Sequence, residues 1–163
     1  MENEDIARLI PLGARINQPL YIYQAPMFMV TASVVVFVEN AAIVLRGEDG
    51  EYRFPGGPVK AGIESVQFAA IRYLKEQTGV SVKKSAIYPV DFRSSPERSH
   101  EGNVLDIGMM VMSEGLSLDD LSMKSVKWIP VDFENRVPID NVKMFMDHDT
   151  LLSRAVDVLL MMK

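Results

Sequence analysis

The chain has 163 residues, no cysteine, two histidines and a formal net charge of −5. That length fits one domain with its own core, and a near-average composition excludes collagen-like and largely disordered chains. Disulfides and a structural zinc site lack ligands, and an acidic balance without a basic cluster argues against a nucleic acid as partner.

Residues 1–26 read as an N-terminal extension, with short apolar clusters such as Ile6, Leu9 and Ile10 between Pro11, Gly13, Pro19 and Pro26, and one strand around Leu20 to Tyr23. The start, Met1 to Asp5, is acidic where a signal peptide is basic. The longest apolar stretch, Met27 to Val38, is broken by Thr31 and Ser33 and falls short of the ~18 apolar residues of a membrane span. A cytoplasmic protein with no membrane partner is expected. Residues 27–163 then read as one domain, without an internal repeat.

Met27 to Val38 is rich in Val and Phe, which suits a strand buried on both faces. Glu39-Asn40 is a tight turn, Ala41 to Arg46 pairs back as a hairpin, and Gly47 to Gly50 turns the chain again before Tyr52-Arg53-Phe54. Pro55-Gly56-Gly57 is expected to break the strand pattern. From Glu64 to Thr78 there is no Gly or Pro, and Val66, Ala70 and Leu74 recur every four residues, so the segment is an amphipathic helix ended by Gly79. Strands follow at Ala86 to Phe92, Val104 to Met112 and Val126 to Val131, with a polar loop over Arg93 to Asn103. A closing helix over Asp149 to Met162 is capped by Asp147 or Asp149 and buries Leu152, Val156, Leu159 and Leu160. His148 reads as a capping or surface residue. This order gives an α+β (mixed α/β) fold.

Phe54-Pro55-Gly56-Gly57, Glu64, seven residues, Arg72, then Leu74, Glu76, Gly79 and Val80 resembles the Nudix box, the loop-helix-loop signature of the Nudix hydrolases. The family pattern is Gly, five residues, Glu, seven residues, Arg-Glu, an aliphatic, any residue, Glu-Glu, any residue, Gly and an aliphatic. Six residues separate Gly57 from Glu64 here, one more than in the pattern, with the insertion near Ile63. Pro96 and the run from Phe145 to Leu152 are similar to features of the ADP-ribose pyrophosphatase subgroup. The resemblance implies an α/β/α sandwich with a mixed sheet, and a nucleotide-derived small molecule as ligand.

Family members carry Glu where this chain has Tyr73 and Gln77. Those positions lie four apart on one stripe of the helix, beside the stripe of Arg72 and Glu76. In the family the first stripe supplies principal magnesium ligands and the second holds loop and helix together. A Gln offers a cation one neutral oxygen, and a Tyr phenol is a poor ligand for a hard dication. The resemblance leaves Glu64, Glu76 and Gln77 as metal ligands, so weak binding of Mg or Mn is expected. It makes Phe54, Gly56 and Gly57 substrate-binding, and puts Arg72 in the catalytic set with Glu97 or Glu101 on the polar loop as base, Glu114 being a weaker candidate. Two functions compete: a Nudix-fold protein that binds a nucleoside diphosphate derivative with hydrolysis weak or absent, and an active magnesium-dependent pyrophosphohydrolase using a loop carboxylate. Phe68, where the family is usually polar, either closes over the site or meets another chain, and with the extension it suggests a homodimer.

Overall fold

The computed structural model describes residues 28–94, 103–111 and 126–162. Side-chain alternation along β1 (Phe28–Val38) sets the layers: Ala32, Val34, Val36 and Val38 enter one apolar cluster, and Val35 and Phe37 enter another on the opposite face. The first cluster is covered by α1 (Val66–Thr78) through Ala69, Ala70 and Leu74. The second is covered by α2 (His148–Met161) through Leu151, Leu152, Ala155 and Val156. A sheet between two helices is the α/β/α arrangement implied by the resemblance, and it fits the α+β (mixed α/β) fold read from the element order.

The sheet also contains β2 (Ala41–Arg46), β3 (Tyr52–Arg53), β4 (Gly56–Pro58), β5 (Ile87–Arg93), β6 (Asn103–Val111), β7 (Val126–Asp132) and β8 (Val137–Pro138). Its main path runs β5-β6-β1-β2-β7-β8, with β1 and β6 parallel and the other neighbours antiparallel. The hairpin strands β1 and β2 pair only at Phe37–Ala42 and Val38–Ala41, next to Glu39, whose φ is 55°. Beyond that point they diverge. β4 takes the freed edge of β1 at Thr31 to Ser33, and β3 takes β2 at Leu45 and Arg46. The fork so created opens a cleft in the middle of the sheet.

Four expectations are corrected here. Pro55-Gly56-Gly57 does not break the sheet, because Gly56 and Gly57 join it as β4 through backbone pairing that needs no side chain. A Cβ on Gly56 would run into the backbone of Ala32 and Ser33, so the close approach needs glycine. Helix α1 begins at Val66 behind the N-cap Ser65, whose hydroxyl accepts from the Phe68 N–H, so Glu64 stands outside the helix. It ends at Gly79 with φ 80°, as expected. At α2 neither Asp147 nor Asp149 supplies a capping bond to the helix, since Asp147 turns to Arg93 and Asp149 accepts from its neighbour Thr150. Leu160 is 43% exposed, because each four-residue step drifts 40° around a helix and carries it off the row of Leu152 and Val156. The close seat of α2 requires Gly108, where a Cβ would overlap Leu151. The expected strand at Leu20 to Tyr23 lies outside the described residues, as do Pro96, Glu97, Glu101, Met112 and Glu114. No helix among the described residues is long and apolar enough to cross a membrane.

Candidate functional site

The loop before α1 is fastened to that helix by four side chains. Arg72 donates from Nε to Glu64 Oε2 at 3.0 Å and from Nη2 to Glu64 Oε1 at 2.6 Å, a two-pronged contact that fits a planar guanidinium. The Lys60 N–H adds a bond to the same carboxylate. These contacts, the Arg72 bond first, hold the Glu64 pKa at about 2 and raise that of Arg72. Arg72 also reaches Glu76 at 3.3 Å, one turn along the helix. This stripe behaves as a structural clasp.

The other stripe makes neutral bonds to the loop backbone. Gln77 accepts from the Gly56 N–H at 2.8 Å and donates from Nε2 to the Gly56 carbonyl at 3.1 Å. Tyr73 donates its hydroxyl to the Pro58 carbonyl at 3.1 Å, and its ring lies so close to Gly57 that a Cβ there would be 2.5 Å from Cζ. Two donors from the helix therefore end on carbonyl oxygens of β4. As arranged, this corner does not offer a donor set for a hard dication: the Gly56 and Pro58 oxygens already face N–H and O–H groups, and Glu64 is engaged on both oxygens by Arg72. Among the described residues no three His, Cys, Asp or Glu converge as metal ligands. Glu97 and Glu101 lie outside them. Phe68 stands 54% exposed, with Lys84 Nζ 5.1 Å above its ring, and does not line the cleft described next.

On the α2 side of the same loop, a cavity of about 240 Å³ lies against β1, β4 and β6. Its wall includes Phe54, Gly56 and Gly57 together with Met29, Thr31, Ser33, Val104, Asp106, Phe145 and His148. At its floor Asp106, 1% exposed, accepts from Thr31 Oγ1 at 2.5 Å and Ser33 Oγ at 3.0 Å, and pairs with the buried guanidinium of Arg93. Arg93 in turn bonds the Asp147 carboxylate and carbonyl. The parallel register of β1 and β6 puts Thr31 directly beside Asp106. Composition offered one clue to this cluster: Asp106 is an acid inside an otherwise apolar strand, Val104 to Val111.

His148 is not a surface residue but 4% exposed. Its Nδ1 accepts the Phe54 N–H at 2.9 Å, its ring stacks on Phe54 at 9°, and Phe145 meets it edge-on. The bond places α2 against the strand that leads into the loop. Just before it, Met146 sits on the cavity rim with φ 47°, a conformation rarely adopted without glycine.

No protein-family model matches the sequence, and no curated protein matches it. Solved structures do. A MutT/nudix family protein from Enterococcus faecalis is 17% identical, with 98% of this chain and 75% of that one covered at a TM-score of 0.67. NrtR from Shewanella oneidensis, complexed with a 27mer DNA, is 19% identical over 81% of this chain and 62% of that one, with a TM-score of 0.64. Its NUDIX domain, complexed with ADP ribose, is 19% identical over 98% of this chain and 99% of that one, with a TM-score of 0.61. A bifunctional NMN adenylyltransferase/ADP ribose pyrophosphatase from Francisella tularensis, complexed with AMP and a manganese ion, is 20% identical, with 98% of this chain and 48% of that one covered at 0.65. The chain thus spans less than two thirds of the NrtR and Francisella chains. At these identities the likeness speaks to architecture rather than chemistry, and the architecture of this chain is the Nudix fold.

Proposed function

We propose that the protein binds a nucleoside diphosphate derivative in the cleft between β1, β3–β4 and the start of α2, with metal-dependent hydrolysis weak or absent. One observation carries this reading: neutral donors of Gln77 and Tyr73 occupy the Gly56 and Pro58 carbonyls at the corner where the family resemblance puts a dication. Cleaving a diphosphate bridge calls for cations that neutralise its oxygens and sharpen a water nucleophile. Glu64 and Glu76 are both bound to Arg72 and leave little anionic oxygen for that task. The cavity beside the loop stays lined by polar and apolar groups that suit a small ligand. The ADP ribose bound to the NrtR NUDIX domain gives the class of ligand to try first.

The test is paired. Calorimetry with ADP-ribose in the presence of a chelator reads binding, and magnesium-dependent release of AMP reads hydrolysis. Binding without turnover is expected; turnover typical of an enzyme, at about 1 s⁻¹ or more, overturns the reading in favour of an active pyrophosphohydrolase. In that event Glu97→Gln and Glu101→Gln locate the base.

A further inference from the structure

The chain has no cysteine, so reversible two-electron oxidation of its side chains falls to methionine, of which it carries eleven. Among the described residues, Met109, Met110 and Met144 are buried and fill the apolar clusters on the two faces of the sheet. Met161 and Met162 lie exposed at the end of α2. Met29 and Met146 are 45% and 43% exposed, and both line the 240 Å³ cavity. They reach it from different parts of the fold, Met29 from β1 and Met146 from the turn that leads into α2. Packing accounts for the buried methionines but leaves nearly half of these two in solvent. Two accessible thioethers therefore border the cleft, where Phe54, Val104 and Phe145 add apolar surface to the same wall.

We propose that the cleft is gated by oxidation: a hydroperoxide converts Met29 and Met146 to sulfoxides, and the cleft loosens its hold on ligand until they are reduced. The inference rests on the reading above and adds the regulation of that site. In the step, the thioether sulfur attacks one oxygen of hydrogen peroxide; an S–O bond forms, the O–O bond breaks, and the other oxygen leaves as water with both peroxide protons. The sulfur gives up two electrons and the peroxide takes them. Each product is a flexible apolar side chain made polar and chiral, with the negative end of its S–O dipole on the new oxygen. The phosphates of the ligand bring further negative oxygens to the same wall, so the sulfoxides repel what the thioethers tolerate.

Peptide mass spectrometry after graded hydrogen peroxide reads the sites, and calorimetry with ADP-ribose reads the cleft. Met29 and Met146 are expected to gain one oxygen each before Met109, Met110 or Met144 gains any, with the melting temperature showing that the protein is still folded. The affinity for ADP-ribose is then expected to fall about tenfold, or about 1.4 kcal/mol, and to return on treatment with methionine sulfoxide reductases. Met29→Leu with Met146→Leu, compared with its own untreated sample, is expected to lose this response, and each single substitution to keep part of it. Met161→Leu with Met162→Leu is expected to keep it whole. If ADP-ribose binds but its affinity is unchanged once both sulfoxides have formed, or the loss persists in the Met29→Leu, Met146→Leu protein, or the two resist oxidation until the protein unfolds, this inference is overturned and the proposed function stands. If ADP-ribose does not bind the untreated wild type, both fall.

Discussion

Restoring family carboxylates at both altered helix positions, as Tyr73→Glu with Gln77→Glu, separates a clasp made of hydrogen bonds from a site made for a cation. The substitution removes the two donors that end on Gly56 and Pro58 and sets a carboxylate oxygen against each carbonyl. The half-buried Gly56 carbonyl is left without its donor, which costs about 1–3 kcal/mol, while the exposed Pro58 carbonyl keeps Arg72 Nη2 at 3.5 Å and loses one net bond worth about 1 kcal/mol, so the metal-free variant is expected to lose about 2–4 kcal/mol. For a domain of this size, that lowers the melting temperature by about 4–16 °C at about 2–4 °C per kcal/mol. A dication now finds two new carboxylates and the freed Gly56 carbonyl, and at a hundred times its Kd it returns about 2.7 kcal/mol. Thermal melts with chelator, magnesium or manganese at matched ionic strength read this directly. The variant is expected to recover several degrees with cation and the wild type none. An equal rise in both proteins refutes the reasoning, since the wild-type corner would then be holding metal despite its neutral bonds.

Acid titration of stability probes the other stripe. The folded pKa of Glu64 is lowered from 4.5 to about 2, so its contribution is complete above about 4.5 and is lost as the pH falls toward 2. Urea midpoints are expected to drop across that window in the wild type and to drop less in Glu64→Gln; parallel curves count against the Arg72 clasp. Asp106→Ala leaves the buried Arg93 with Asp147 as its nearest carboxylate among the described residues and strips Thr31 and Ser33 of a shared acceptor. It is expected to cost about 3 kcal/mol, the lower end for breaking a buried pair, and a loss under 1 kcal/mol in urea denaturation shows the cluster to be slack.

Periodicity made most of the fold legible. The strands at 28–38 and 41–46 and the helix ending at Gly79 follow from β-branched runs, a four-residue apolar spacing and one left-handed cap. β4 escaped because Gly-Gly-Pro has no strand propensity: it is held by the free edge of β1 and by glycines that let two backbones meet. Glu64 and Arg72 were readable as partners because they lie close in sequence. Asp106 was not, since its contacts reach back 73 and 75 residues to Ser33 and Thr31 and depend on a parallel register that no local pattern encodes.

The neutral bonds at the loop bear on the cleft as well as on metal. Both end on β4, the same strand whose opposite edge pairs with Thr31 to Ser33 and whose Gly56 and Gly57 wall the 240 Å³ cavity. Where a cation ties such a loop to its helix, the wall is set only while the cation is bound. Hydrogen bonds from Gln77 and Tyr73, with Arg72 gripping Glu64 beneath them, hold it without one. On the reading proposed above, these bonds take up oxygens that metal-dependent chemistry would use and fix the surface that recognition would use. A cleft preset in this way loses less entropy on binding a ligand, which suits the proposed role of holding a diphosphate and releasing it intact.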